Sequence, residues 1–102
     1  MSVYMVAEIK LRNGMMGEYE AAMPAMLEAF EPHGWKLTAS YQVIYGDINE
    51  IFHTWEAEDA NATVAALEAA GAQEDFGKLF VAMRDYTEYE HISLCRKSPY
   101  SP

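Results

Sequence analysis

The sequence predicts a single α+β domain of the ferredoxin-like type, in which a four-stranded antiparallel sheet carries its helices on one face. Three observations support this fold class. The chain has 102 residues, which suits one domain. Its apolar residues recur with a period of two in some segments and with a helical period in others. These segments follow the order strand, helix, strand, strand, helix, strand, and two such units with right-handed crossovers form this sheet.

The first strand and the first helix are marked by different periods. Residues 3–12 alternate between an apolar and a mixed face, and Asn13 and Gly14 end this strand. An apolar stripe then follows a helical spacing through Tyr19, Met23, Met26, Leu27 and Phe30. Because proline removes one backbone hydrogen bond, Pro24 should kink this helix, and residues 32–34 should end it.

The middle of the chain predicts a β-hairpin. Residues 35–45 alternate as a strand, and residues 50–57 read as the strand that returns beside it. The Gly-Asp-Ile-Asn cluster at 46–49 is typical of the tight turn that would join them.

The last third predicts two short helices and the final strand. Asp59 is suited to cap an alanine-rich helix over 60–70, which Gly71 closes. A second helix, over 76–83, precedes a strand over 87–97. We expect the domain to span residues 1–97 and residues 98–102 to form a C-terminal tail.

The charge of the chain disfavours two classes of partner. With 16 acidic and 7 basic residues, its formal net charge of −9 should repel nucleic acid and anionic membranes. The sequence has no apolar run long enough for a membrane helix, and its first residues lack the pattern of a signal peptide. We therefore expect a cytoplasmic protein.

The apolar content predicts a homodimer. Hydrophobic residues make up 51% of the chain and aromatic residues 13%, which is rich for so small a core. Helices shield only one face of a four-stranded sheet, and the other face would still carry groups such as Tyr4, Val6 and Ile44. Stacking two sheets would bury that face and create an inter-sheet space. A small-molecule pocket and a filled interior are both possible contents of this space.

The hairpin brings together the strongest candidate site residues. Aligning its strands across the turn places Gln42 opposite His53 and Ser40 opposite Trp55 on one face, whereas a slip of one residue would place Tyr41 opposite His53. If that face lines the inter-sheet space, His53 would serve as a general acid or base and Trp55 as an apolar wall. The alternative is a histidine that only hydrogen-bonds a neighbouring strand.

Three further residues are candidates of second rank. His91 shares a face of the last strand with Tyr89, and Glu8 and Tyr4 lie on the mixed face of the first strand. A carboxylate at Glu8 is either solvated at a barrel mouth or buried with a raised pKa, as an acid–base group requires. No metal site is expected, because the three histidines do not form a close ligand pair.

A resemblance to a known family rests mainly on residues 46–55. The run Gly-Asp-Ile-Asn-Glu-Ile-Phe-His-Thr-Trp is similar to the signature of the NIPSNAP family, in which Gly, Asn, His and Trp recur at this spacing. The aromatic Tyr41 and the acidic-aromatic pair Asp75 and Phe76 also fit the family pattern. The resemblance covers most of the chain from Val3 to about Phe80.

The resemblance implies a dimeric α+β barrel. That superfamily includes cofactor-free monooxygenases, isomerases, cyclases and haem-binding enzymes, so the fold alone does not name a reaction. We expect a cofactor-independent enzyme of monooxygenase, isomerase or lyase type, acting on a small apolar or aromatic oxygenated molecule and using Tyr4, Tyr41, Gln42 and Trp55 for binding. Haem held by His53 or His91 is an alternative by analogy. The competing hypothesis is a non-catalytic module that binds a small ligand or a protein.

Overall fold

The computed structural model describes residues 2–102, so that only Met1 of the predicted domain lies outside it. Its elements are β1 (Val3–Leu11), α1 (Met16–Phe30), β2 (Lys36–Gln42), β3 (Glu50–Ala57), α2 (Ala60–Gly71), α3 (Phe76–Tyr86) and β4 (Thr87–Cys95). The strands form one antiparallel sheet in the order β2-β3-β1-β4. This architecture confirms the predicted fold class. The boundary of the C-terminal tail stays a prediction.

Alternation along β1 and β3 gives the sheet one face covered by helices and one open face. The covered face carries Met5, Ala7, Ile9 and Leu11 of β1, and Ile51, His53, Trp55 and Ala57 of β3, all of them buried. Ile9 and Leu11 are each only 1% exposed, and full burial of such a side chain stabilises the fold by about 1.5–3 kcal/mol. The residues that alternate with these along each strand point to the open face, because neighbouring side chains of a strand lie on opposite sides of the sheet.

Helix α1 supplies most of the cover for this face. It runs through Pro24, whose ring lies on the exposed side, and a single 3₁₀ turn over Glu31–His33 extends it. Gly34 then takes the left-handed conformation, with φ of 100°, and its N–H donates to the carbonyl of Glu31. The predicted end of the helix at residues 32–34 is therefore confirmed.

The predicted hairpin exists, but its predicted register is wrong. Strand β2 ends at Gln42, three residues earlier than expected, and Ser40 rather than Gln42 lies opposite His53. Gln42 lies opposite Ile51, and Leu37 opposite Trp55. The alternative pairing of Tyr41 with His53 is wrong as well, because Tyr41 lies opposite Phe52.

The turn chemistry explains the difference. The Asp47 carboxylate accepts a hydrogen bond from the backbone N–H of Asn49 at 3.1 Å, and the Asp47 carbonyl accepts one from Glu50 at 3.1 Å. Gly46 has a φ of 120°, which favours glycine. The Val43 N–H donates to the Glu50 carbonyl, so the connection spans residues 44–49 and is two residues longer than expected.

The remaining elements follow the prediction closely. Asp59 caps α2 as expected, because its Oδ1 accepts the N–H of Ala62 at 2.8 Å. Helix α3 continues three residues past the predicted end, to Tyr86, and β4 ends at Cys95 rather than at residue 97. Among the helices of residues 2–102, none combines the length and apolar character needed to cross a membrane.

Candidate functional site

A cavity of about 480 Å³ lies between the covered face of the sheet and the helices. Its lining is predominantly apolar and aromatic, with major contributions from Met23, Met26, Phe30, Trp35, Trp55 and Met83. Phe30 stacks on Trp35 at 4.5 Å between ring centres and meets Trp55 edge-on at 6.0 Å. These rigid contacts form one wall, and the volume is in the range of small-molecule pockets.

Three polar residues from three different elements also line this cavity: His53 from β3, Tyr19 from α1 and Glu90 from β4. His53 is 4% exposed and Tyr19 is 5% exposed. Their ring centres are 6.1 Å apart, and His53 also meets Trp55 edge-on at 6.0 Å. The cavity therefore has a small polar corner within an apolar lining.

The polar atoms of His53 and Tyr19 remain available to a ligand. Within residues 2–102, neither side chain makes a hydrogen bond to another protein group. In this part of the chain, Nε1 of Trp35 is the one side-chain nitrogen or oxygen that is both fully enclosed and without a hydrogen-bond partner. The imidazole nitrogens and the Tyr19 hydroxyl thus keep some accessible surface, and the cavity that both residues line provides it.

Burial sets the protonation states of this corner. It lowers the pKa of His53 below its usual value of 6.5, so that the imidazole is neutral near pH 7. It raises the pKa of Tyr19, with a smaller contribution from Glu90, so that the phenol keeps its proton. It also raises the pKa of Glu90, although much of this residue is exposed along the edge strand.

The mouth of the cavity lies near α3 and β4. Leu67 and Phe80 are about half exposed there, and Ile92 is 58% exposed. Arg84 and Glu88 add one charge of each sign. An entering molecule would therefore cross a largely apolar rim.

The structure divides the predicted site residues between the two faces of the sheet. His53 and Trp55 lie in the cavity. Gln42 shares their face but lies exposed at the end of β2, outside the cavity lining. Tyr4, Glu8, Tyr41 and His91 lie on the open face.

The predicted pocket in the inter-sheet space stays a prediction, and the cavity that holds His53 lies on the other side of the sheet. The cavity that this chain encloses is under the helices, whereas the predicted inter-sheet space would lie against the open face. On that open face, Glu8 lies beside Phe52 on one side and His91 on the other, with Tyr41 beyond Phe52. These residues form a row across the sheet that is separate from His53.

Tyr19 and Glu90 are two polar cavity residues near His53 that are absent from the predicted site. In the sequence, Tyr19 belongs to the apolar stripe of α1, and Glu90 lies in a strand whose candidate site residue is His91. A signal existed for both: Tyr19 carries a hydroxyl within an otherwise apolar stripe, and Glu90 shares its face of β4 with Ile92 and Leu94.

Neither a metal nor haem is supported by the residues present. No group of three His, Cys, Asp or Glu side chains with the spacing of a metal site occurs in residues 2–102. Of the two predicted haem ligands, His53 faces the cavity and His91 lies on the open face of the sheet. Arg84 is the one basic residue in the described lining, whereas haem brings two propionates. The site does not fit that group.

Comparison with known proteins gives the same family from sequence and from structure. The family model described as NIPSNAP matches residues 4–102, and the comparison with curated proteins finds no match. A NIPSNAP family protein of unknown function from Agrobacterium tumefaciens superposes with a TM-score of 0.86 at 20% identity, over 99% of this chain and 92% of that chain. A second NIPSNAP family protein from the same organism superposes with a TM-score of 0.88 at 13% identity, over 100% of this chain and 98% of that chain.

A solved structure with a described activity also shares the fold. A mutant of SnoaB, a cofactor-independent oxygenase from Streptomyces nogalater, superposes with a TM-score of 0.74 at 18% identity, over 98% of each chain. At this level of identity the likeness establishes a common fold.

Proposed function

The chain belongs to the NIPSNAP family, and on that premise we propose that it is a cofactor-independent enzyme acting on a small apolar or aromatic oxygenated molecule. The observation that carries this proposal is a buried, unpaired and neutral imidazole, that of His53, facing an apolar cavity of about 480 Å³. The expected cytoplasmic location stays a prediction.

His53 is suited to accept a proton from a bound molecule. A general base must be unprotonated at the working pH and within reach of the proton that it removes. Burial supplies the first condition by lowering the pKa of His53, and the open nitrogen atoms supply the second. Proton removal next to a carbonyl or on an aromatic hydroxyl is a first step that oxygenases, isomerases and lyases without cofactors can share. The same fold hosts a cofactor-independent oxygenase in SnoaB.

The test uses 2-tetralone, an apolar bicyclic ketone with an acidic C–H next to its carbonyl. In deuterated buffer near pH 7, the protein should accelerate exchange of that hydrogen for deuterium, as followed by NMR. His53→Gln should reduce the exchange to the background rate while 2-tetralone still binds. The control is His33→Gln, because His33 is exposed and does not line the cavity. Equal exchange by the wild type and His53→Gln would refute the role of His53.

A non-catalytic binding protein is the second candidate. It is favoured by one observation: within residues 2–102, no side chain hydrogen-bonds the imidazole of His53. A catalytic histidine is commonly oriented by such a partner. In that case 2-tetralone would bind in the cavity, but neither the wild type nor His53→Gln would accelerate exchange.

We further propose that the active form is a homodimer joined through the open face. Half-buried Tyr4, Val6 and Phe52 lie there without a covering helix. Four strands of 7 to 9 residues present roughly 19 × 27 Å, a flat area of about 500 Å². The side chains that rise from this face add contact area toward the roughly 800 Å² that each partner buries in a stable complex. Sedimentation at micromolar concentration should give twice the chain mass of 11.5 kDa. A stable monomer would contradict the proposal.

A further inference from the structure

We propose that the hydroxyl of Tyr19 donates a hydrogen bond to an oxygen atom of the bound molecule, which makes Tyr19 the residue that selects for a carbonyl or phenol oxygen. This inference rests on the proposed function and narrows its substrate class. The ligand would be a neutral molecule, such as a ketone whose oxygen atom is on the carbon next to the one that carries the acidic hydrogen. Its apolar remainder would lie against the aromatic wall.

Accessibility is the first argument. Tyr19 is 95% enclosed by the fold, given its exposure of 5%, and yet its hydroxyl has no partner among residues 2–102 and is not one of the sealed atoms. A buried polar group without a hydrogen bond costs about 1–3 kcal/mol. An apolar ligand that displaces solvent from the cavity would impose that cost on the Tyr19 hydroxyl, whereas a ligand oxygen would accept its hydrogen bond and avoid it.

The position relative to His53 is the second argument. The two ring centres are 6.1 Å apart, and the rings come from opposite walls, one from α1 and one from β3. A ketone bound in the cavity beside both rings can direct its oxygen to Tyr19 and its neighbouring C–H to His53. When that C–H bond breaks, the proton passes to the imidazole and its electron pair becomes the enolate, whose oxygen accepts the hydrogen bond from Tyr19.

Charge is the third argument. The raised pKa of Tyr19 keeps the phenol protonated near pH 7, and it can therefore donate. Burial of the part of Glu90 that borders the cavity raises the pKa of this carboxyl, because an apolar lining solvates negative charge poorly. A bound carboxylate would add such a charge beside Glu90, so a neutral oxygenated molecule is the better fit.

The test compares two probes of nearly the same shape, 2-tetralone and tetralin, which differ in the carbonyl oxygen. The wild type should bind 2-tetralone more tightly by about threefold to tenfold, measured by calorimetry. Tyr19→Phe should remove this preference by weakening the binding of 2-tetralone only. The same substitution should slow deuterium exchange at least about tenfold. If Tyr19 had a merely structural role, Tyr19→Phe would weaken the binding of both probes equally. Tyr86→Phe is the matched control, since Tyr86 packs on the same core but does not line the cavity.

The possible results separate this inference from the proposed function. If Tyr19→Phe keeps the preference for 2-tetralone, Tyr19 is not the donor, although exchange that depends on His53 would still stand. If the wild type binds neither probe, both proposals fail. If Tyr19→Phe does not fold, a crystal structure of the wild type with 2-tetralone decides: a carbonyl oxygen within about 3.2 Å of Tyr19 Oη supports the inference, and any other placement overturns it.

Discussion

Protonation of His53 should destabilise the folded protein, and this prediction tests the environment of the site without any ligand. The imidazole is 4% exposed, and burial is the cause of its lowered pKa. As the pH falls below 6.5, the unfolded chain takes up a proton at this position while the folded chain resists it. The unfolded state then binds more protons, so the free energy of unfolding falls with the pH. The stabilisation associated with the neutral His53 is therefore complete above about pH 7.5. It is lost as the pH falls toward the pKa of His53 in the folded protein.

The magnitude follows from linkage. The slope cannot exceed about 1.4 kcal/mol per pH unit for one proton, which sets a limit of about 2 kcal/mol between pH 6.5 and pH 5. Urea unfolding of the wild type and His53→Gln, at one protein concentration, gives the difference between the two stabilities at each pH. Titration of the other ionisable groups that line the cavity, which include Tyr19 on α1 and Glu90 on β4, is common to both proteins and largely cancels. A difference that is constant from pH 8 to pH 5 would refute the assignment of a buried, neutral imidazole.

Three substitutions test the fold around the site, each by urea unfolding. Ile9→Ala should lower the free energy of unfolding by about 2–5 kcal/mol, because Ile9 is 1% exposed and its loss leaves a void; a change below 1 kcal/mol would contradict this packing. Asp59→Ala should cost about 1 kcal/mol by removing the cap on the Ala62 N–H, whereas Asp59→Asn should largely preserve stability. Gly34→Ala should cost about 1–2 kcal/mol, because φ is 100° there although a Cβ would meet no atom within 4 Å; an unchanged stability would show that this backbone is not fixed.

The fold could be predicted because local patterns determine most of it. Alternation in β1 places Ile9 inside, and the side chain of Asp59 needs only its own helix to act as a cap. The hairpin register could not be predicted, because it depends on hydrogen bonds that Asp47 makes within the turn. The two-residue error still kept Ser40 and His53 on one face, since side chains alternate with a period of two.

The site was harder to predict than the fold because it joins elements that are distant in sequence. His53 and Trp55 were found through one strand, and both line the cavity. Tyr19 becomes a site residue only because α1 crosses above His53, and Glu90 only because β4 lies beside β1. The sequence also could not decide which face the helices cover. Both faces of β1 carry apolar residues, so the expected pocket was assigned to the inter-sheet space.

Two neighbouring residues of β1 can separate the functions of the two faces. Ala7 lies on the covered face between His53 and Ile92 and lines the cavity, whereas Val6 lies on the open face. Ala7→Leu should fill part of the cavity and abolish 2-tetralone binding. Because the added carbons enter existing space, the substitution should lower the free energy of unfolding by less than the roughly 1–3 kcal/mol typical of an overpacked core.

Val6→Lys should have the opposite effect. A lysine in the middle of a dimer interface would bury an unpaired charge, so the protein should sediment as a monomer of 11.5 kDa. Its cavity is built from one chain, and the monomer should therefore still bind 2-tetralone within about threefold of the wild type. If Val6→Lys abolished binding as well, the cavity would depend on the second copy, and the assignment of binding to one face and association to the other would be wrong.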